Sequence, residues 1–420
     1  MTGFALPEIQ AIGAEIMARA ETLGAISEGG PGVTRLTCTP EHRRAFEVIR
    51  GWMAEAGMTF HVDAVGNLVG RYEGAEPGAP ALMSGSHQDT VRQGGKYDGM
   101  LGFLVPLSGV AALNKAGIRF PFAIEIPVFS DEEGVRYGTS LFGSQALAGT
   151  FDMAELERVD ADGITLRQAL VDFGCDPDAI PAIARRPEDV LAFLEVHIEQ
   201  GPVLEAEGLP IGVVDAFAGG DRIRVTVTGE AGHAGTVPMG RRKDALAAAS
   251  EMVLAVEEMA AANVLVGTVG WLEAKPGAIN VIPGSVAFTI DLRGPDDGER
   301  RRVRGLLLEK LSEIAARRGV AAEMEHIYEI LAQRCTPWMV RQAEAAVRAE
   351  GVEPLTLYSG AGHDAMAMAD LTAIAMLFVR CLGGVSHNPA ESITAEDAGT
   401  AARTWLRFVQ AFRPEPISAR

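Results

Sequence analysis

Cysteine is sparse in this 420-residue chain: Cys38, Cys175, Cys335 and Cys381 are the only four, lie far apart and form no CxxC pair. That spacing excludes a disulfide framework and a cysteine-built zinc site, and it predicts a reducing, cytoplasmic setting. Cationic side chains are the minority, 37 Lys and Arg against 56 Asp and Glu, for a formal charge of −19. Such a surface repels phosphate backbones and anionic lipid, so neither nucleic acid nor membrane is an expected partner. No stretch approaches the roughly 20 apolar residues of a membrane span. Near the start, Ile9, Ile12, Ile16 and Met17 recur at helical spacing with Glu8 and Glu15 between them, unlike the unbroken apolar run of a signal peptide. Internal repeats and low-complexity tracts are also missing.

What is present is enough for a large core, with 48% hydrophobic and 22% charged residues, and the length predicts more than one domain. Apolar runs at 81–84, 122–129 and 190–196 end abruptly in GSHQDT, SDEEG and HIEQG. These are expected to be buried strands, and the stretches 44–56 and 100–116 between them helices, as in an α/β domain with a largely parallel mixed sheet. In such sheets the loops at the strands' carboxyl ends hold the site. From Asp215 the pattern changes: Ile223, Val225 and Val227 alternate with Arg222, Arg224 and Thr226, a strand with one wet face. A helix over 243–261, strands over 264–273 and 286–293, a helix over 299–318 and a strand over 322–330 predict a two-layer α+β sandwich. The first pattern resumes after Gln333, through 372–379, and Thr394 with Asp397 forms a capping box opening a last amphipathic helix. The expected organisation is therefore a catalytic α/β domain, 1–214 and 333–420, interrupted by a smaller domain over 215–332.

Histidine is also scarce, eight in all, yet His87, His197, His233, His363 and His387 each stand in a polar loop sequence beside glycine or an acidic residue. One loop histidine alone is more often structural than chemical; together they suggest a site. In GSHQDTVRQGGKYDG, His87 follows a strand, Asp89 is placed to fix its tautomer from the second shell, and Asp98 follows a Gly-Gly turn that can return its carboxylate to the imidazole. The pair Glu132 and Glu133 ends another strand; one could bind metal while its neighbour holds a proton, or both could be a solvated acidic turn. His197 lies between Glu195 and Glu199, and His387 directly precedes a turn. The set His87, Asp98, Glu133, His197 and His387 offers nitrogen and oxygen without thiolate, which suits Zn, Mn, Co or Ni. A shared Asp98 would hold two metals about 3.5–4 Å apart, a geometry suited to hydrolysis.

GSHQDTVRQGGKYDG, DEEGVRYGTSLFGS, HIEQGPVLE, GHAGTVPM, NVIPG, DLRG, SGAGHDA and GVSHNPAES, spread in order over about 81–396, resemble the signature stretches of the hydantoinase/carbamoylase branch of the M20 metallopeptidase-like amidohydrolases. The resemblance implies one divalent metal on His87, Asp98 and His197 and a second on Asp98, Glu133 and His387, with Glu132 as general base. His197 stands where the wider M20 peptidases usually have a carboxylate, which points to the carbamoylase branch. The resemblance further implies His233 as oxyanion stabiliser, Asn280 and Arg293 as holders of the substrate carboxylate, and Gln200 with Gly360, Ala361 and Gly362 against the substrate. It makes the inserted domain a lid/dimerisation domain, with hinges near Asp215 and Gln333, whose trio serves the neighbouring subunit of a homodimer. The expected reaction is hydrolysis of the carbamoyl C–N bond of an N-carbamoyl-L-amino acid. Allantoate and 3-ureidopropionate are the near alternatives, and a dipeptidase or aminoacylase a more distant one. A catalytically silent metal-binding scaffold on the same fold is disfavoured, because Glu132, whose role is purely chemical, is present.

Overall fold

The computed structural model describes residues 5–415. The described residues divide into two compact units: 5–215, 335–357 and 362–415 form the first, and 216–334 with 358–361 form the second.

The first unit is built on a mixed sheet whose centre is parallel. Strands Ala81–Met83, Ala123–Phe129, Val190–Ile198 and Ile374–Val379 run side by side in one direction. Antiparallel strands flank them: Leu68–Tyr72 and then Thr59–Val62 on one side, Ile211–Phe217 on the other. The parallel strands are buried along nearly their whole length, as sheets covered on both faces must be. Such strands have no wet face for an acid, and Glu125 in the middle of Ala123–Phe129 is tolerated because Arg71 and Arg185 reach its two oxygens at 2.8 and 3.1 Å. Helices Ile9–Gly24, Met100–Lys115 and Ala395–Ala411 pack together over the core, and the Trp405 indole donates to Ser84 Oγ at 3.0 Å. The cap half of the predicted capping box is formed, Asp397 N donating to Thr394 Oγ1 at 3.0 Å, while the Asp397 carboxylate accepts from the Thr394 hydroxyl at 2.6 Å. No helix among the described residues is long and apolar enough to cross a membrane.

The second unit is a two-layer α+β sandwich. Strands Val266–Thr268, Ser285–Gly294, Gly219–Thr228 and Ala321–Ile330 lie in that order, all antiparallel. The register sets Ile223 opposite Ile290, Val225 opposite Phe288 and Val227 opposite Val286. These residues face the helices Ala245–Ala262 and Asp297–Arg318, and every second residue of Gly219–Thr228 and of Ser285–Gly294 is buried. The expected continuous strand over 264–273 is instead two short ones, Val266–Thr268 and Leu272–Lys275. Thr268 pairs with Asp291 but Leu272 with Phe288, so the pairing slips by one residue across Gly270.

Candidate metal centre and active site

The site of the first unit collects at the carboxyl ends of the parallel strands, where the chain must leave the sheet and polar side chains no longer have to be excluded. His87 ends the short strand Ser86–His87, which pairs in parallel with Val128 and Phe129. Glu132 and Glu133 follow Ala123–Phe129, His197 lies near the end of Val190–Ile198, and the loop beyond Ile374–Val379 brings in His387. Asp98 sits in the turn before helix Met100–Lys115.

Asp98 is the centre of the arrangement. Its Oδ1 lies 3.2 Å from His197 Nε2 and 3.6 Å from His87 Nε2. Its Oδ2 lies 3.2 Å from His387 Nε2, and Glu133 Oε1 is 3.5 Å from that same nitrogen. Two donor triads result, His87, Asp98 and His197 in one and Asp98, Glu133 and His387 in the other, the donor atoms of each within 4.8 Å of one another. His87 Nδ1 faces the Asp89 carbonyl and His197 Nδ1 the Ile198 carbonyl, each at 2.9 Å. A ring that donates through Nδ1 leaves the Nε2 lone pair for a ligand. The Gly99 N–H, which donates to His197 Nε2 at 3.2 Å, favours that same tautomer.

Asp89 acts differently from the simplest expectation. Its carbonyl makes the closer contact with His87, its Oδ1 standing 3.4 Å away, while its carboxylate accepts from the backbone N–H of Glu132 at 3.0 Å and of Glu133 at 3.1 Å. One acid therefore ties the two acidic ligand-bearing loops together. Glu132 Oε2 stands 3.9 Å from His87 Nε2, beside the triads and outside both. A Cβ added to Gly362 would come within 3.6 Å of Glu132 Oε1, so glycine keeps that side of the carboxylate open. Gln200, at a left-handed φ of 56°, donates to Asp98 Oδ2 at 2.9 Å.

Four supporting residues lay outside the sequence expectation or were left undecided by it. Glu391 accepts from the N–H groups of Tyr97 and Asp98 at 2.9 and 3.1 Å, and Ser386 Oγ lies 3.0 Å from both Asp98 Oδ2 and Glu391 Oε2. Glu195, buried behind His197, accepts from Ser86 Oγ at 2.7 Å and from Ala365 N at 2.9 Å. The signal for Glu391 was an acid four residues beyond His387 in HNPAE. Glu199 caps the short helix Val203–Ala206, its oxygens accepting from Val203 and Leu204 N–H.

The electrostatics follow from burying many acids together. Burial pushes the Glu132 carboxyl well above its ordinary range, with repulsion from Glu133, Asp364 and Asp89 added and His87 opposing. Burial also pushes Glu133 up to about 7. At Asp98 burial is outweighed by His197, His387 and His87, which hold it well below the usual carboxylate range. Burial is overcome in the other direction at His87 by Asp89 and Asp98 and at His197 by Asp98, so both are raised, while Asp98 directly raises His387. Protonated imidazoles thus neutralise acids at the positions a divalent cation would neutralise. Neutral Nε2 donors, an Asp98 with one oxygen turned to each triad and a surplus of buried negative charge fit such cations, and these residues could hold them. His363 is buried with its ring 4.4 Å from that of His197, and burial and His197 keep it well below its ordinary pKa.

A family model, peptidase family M20/M25/M40, matches residues 77–411. The chain belongs to this family. Within it, the chain is similar to an N-carbamoyl-L-amino acid amidohydrolase of Geobacillus stearothermophilus, 42% identical over 90% of this chain and 93% of the other. An allantoate deiminase of Arabidopsis thaliana is 39% identical over 94% of this chain and 82% of its own length. Among solved structures, a hydantoinase/carbamoylase family amidase from Burkholderia multivorans superimposes with a TM-score of 0.90 at 34% identity, covering 96% of this chain and 98% of that one. The resemblance read from the motifs is borne out: this M20 chain is an amidohydrolase, with residues in place that could bind metal.

The second unit of this M20 chain holds the other expected residues. His233 and Asn280 are neighbours across the small sheet that pairs Val281 with His233, and the Ala234 N–H donates to the Asn280 carbonyl at 3.0 Å. Both side chains are exposed, and His233 Nδ1 accepts from Gly235 N at 3.0 Å, so a neutral ring carries its proton on Nε2. Arg293 donates through Nε and Nη2 to Asp291 at 2.7 and 3.1 Å and through Nη1 to the Gly360 carbonyl at 2.8 Å. It lines an open cleft of about 720 Å³ together with Arg222, Thr268, Thr289 and Tyr328. Ala361 N donates to Ser359 Oγ at 3.1 Å within the same unit.

Proposed function

We propose that this chain hydrolyses N-carbamoyl-L-amino acids to the free amino acid, ammonia and carbon dioxide, using two divalent ions per subunit drawn from Zn, Mn, Co or Ni. The observation that supports it most is Asp98 shared between two donor triads, beside a buried carboxylate, Glu132, that belongs to neither. The relatives' names supply the substrate class: they act on ureido compounds, the carbamoyl amino acids first and allantoate next.

The ureido carbon is a poor electrophile because nitrogen lone pairs stabilise its planar ground state, so hydrolysis needs both a strong nucleophile and stabilised negative charge. The ions, when bound, supply Lewis acidity, which makes water nucleophilic near neutral pH and polarises the scissile carbonyl. His87, Asp98 and His197 hold one ion, and Asp98, Glu133 and His387 the other. Glu132 removes the proton from the attacking water and returns one to the amino acid nitrogen as its bond to the ureido carbon breaks; the carbamic acid left behind falls apart to ammonia and carbon dioxide. Its raised affinity for a proton suits a group that must hold one between those steps. Gln200 and Ser386 keep Asp98 aligned, and Gly362 leaves room beside the base.

His233 donates to the developing oxyanion through the exposed Nε2, and Arg293 with Asn280 receives the substrate carboxylate. These three belong to the second unit, and the proposal makes them the contribution of one subunit of a homodimer to its neighbour's metal centre. Domains 1–214 and 333–420 then act as the catalytic body and 215–332 as lid and dimerisation domain, in a cytoplasmic enzyme with four free cysteines. Ammonia release from an N-carbamoyl-L-amino acid panel, allantoate and 3-ureidopropionate, assayed side by side, tests the assignment. Carbamoyl amino acids should turn over fastest; a preference for either other compound transfers the assignment to it, and silence on all three removes it.

A further inference from the structure

Arg35 lies outside every motif discussed so far and is fully buried, yet none of the partners that its guanidinium reaches is a carboxylate. A buried guanidinium without a counter-charge is expensive, and burial draws this one down to about 10 with only Asp89 opposing. Each of its three nitrogens nonetheless has a partner. Nε donates to the carbonyl of Gln88 and to its Oε1, both at 3.0 Å. Nη1 donates to the carbonyls of Leu23 and Ile26 at 2.8 and 3.0 Å, at the carboxyl end of helix Ile9–Gly24, and Nη2 points at Met100 Sδ, 2.7 Å away. The backbone makes a second clamp: Arg35 N donates to Thr90 Oγ1 at 3.0 Å, and Thr90 N donates back to the Arg35 carbonyl at 3.1 Å.

These contacts converge on two stretches. Gln88 stands between His87 and Asp89, and Thr90 follows, so residues 87–90 are held from one side by one side chain and its own peptide. Met100 opens the helix that begins two residues after Asp98. The rigid planar fork reaches both ligand-bearing stretches, and through Asp89 the hold extends to the Glu132 and Glu133 backbone. A requirement of stability alone would be met more cheaply by an apolar side chain at a site this dry.

We infer that Arg35 is a positioning residue for the metal centre, holding His87 and Asp98 at ligating distance by bracing residues 87–90 against the start of helix Met100–Lys115. This rests on the proposed metal centre. It acts on the metal affinity of the apoprotein and, through that, on turnover; its contribution to the fold is secondary.

The test is a titration of chelator-stripped full-length protein with Mn²⁺ against a metal indicator, for wild type, Arg35→Lys and Thr90→Val, with the melting temperature of each apoprotein recorded. Loss of an outer-sphere support of this kind weakens metal binding about 10–100-fold. That weakening is expected in both variants, with excess Mn²⁺ restoring kcat and leaving KM unchanged, which a general loss of structure would not permit. If Arg35→Lys does not fold, Thr90→Val alone decides. Folded variants that bind Mn²⁺ within twofold of wild type overturn the inference while leaving the metal centre intact. A wild-type chain that binds no divalent metal removes the centre and this inference together.

Discussion

Asp98 faces His387 through Oδ2, at 3.2 Å from Nε2, while its other oxygen is turned to a different pair of imidazoles. One carboxylate thereby joins a turn near the start of the chain to a loop near its end, and the two triads cannot be altered independently at this residue.

Substitutions at the triads should separate accordingly. Asp98→Ala is expected to lose both metals and Glu133→Ala only one, leaving about one ion per chain, because Asp98 belongs to both triads and Glu133 to one. Elemental analysis after gel filtration reads this directly. Equal metal contents in the two variants would refute the shared role of Asp98.

Glu132→Gln keeps the shape and removes the proton carrier. Turnover should fall by at least the roughly 10²–10⁴-fold assigned to general acid–base catalysis, with metal content unchanged. A variant retaining a tenth of wild-type kcat would exclude Glu132 as the base.

Arg293→Lys replaces a fork by a point charge. Losing charge-assisted hydrogen bonds worth about 1.5–3 kcal/mol should raise KM about 10–100-fold for a ureido carboxylate. The corresponding carboxamide should be a poor substrate for wild type and indifferent to the substitution. Unchanged KM for the carboxylate would take Arg293 out of substrate binding.

The first unit should also show an acid-side loss of stability traceable to His42. This ring is fully buried, accepts from Cys38 N at 3.0 Å and packs edge-on to Phe46 at 4.3 Å. Burial, with Arg35 and Arg43 adding repulsion, holds its pKa well below the ordinary value of 6.5. Because the folded pKa is the lower one, the unfolded chain binds the extra proton first, and stability falls as pH drops below about 6.5. The fall is about 1.4 kcal/mol per pH unit until the folded value is reached. Melting temperatures from pH 7 to 5 should therefore decline less steeply in His42→Asn, whose amide oxygen can still accept from Cys38 N; parallel slopes would contradict this.

Much of this was legible from local pattern. Period-two alternation through Ile223, Val225 and Val227 is dictated by one buried sheet face, and abrupt ends of apolar runs marked the strand ends that carry His87 and His197 and the strand that Glu132 follows. The start of the helix Pro40–Glu55 was expected four residues late, although Thr39 as cap and Pro40 in the first turn are ordinary start signals. The break at Gly270 was not legible, because it depends on register with a partner strand. Nor were Arg35 and Ser386: residues that act by holding other residues leave no spacing of their own, and their partners are set by the tertiary fold.

Bound metal and ureido hydrolysis should belong to one site. This is tested most directly by stripping the protein with chelator and adding back Mn²⁺ in steps, measuring ammonia released from an N-carbamoyl-L-amino acid and metal bound per chain at each step. Activity should vanish on stripping and return as metal occupancy rises to about two per chain, as a two-ion site requires. Undiminished ammonia release from the metal-free chain would contradict the account.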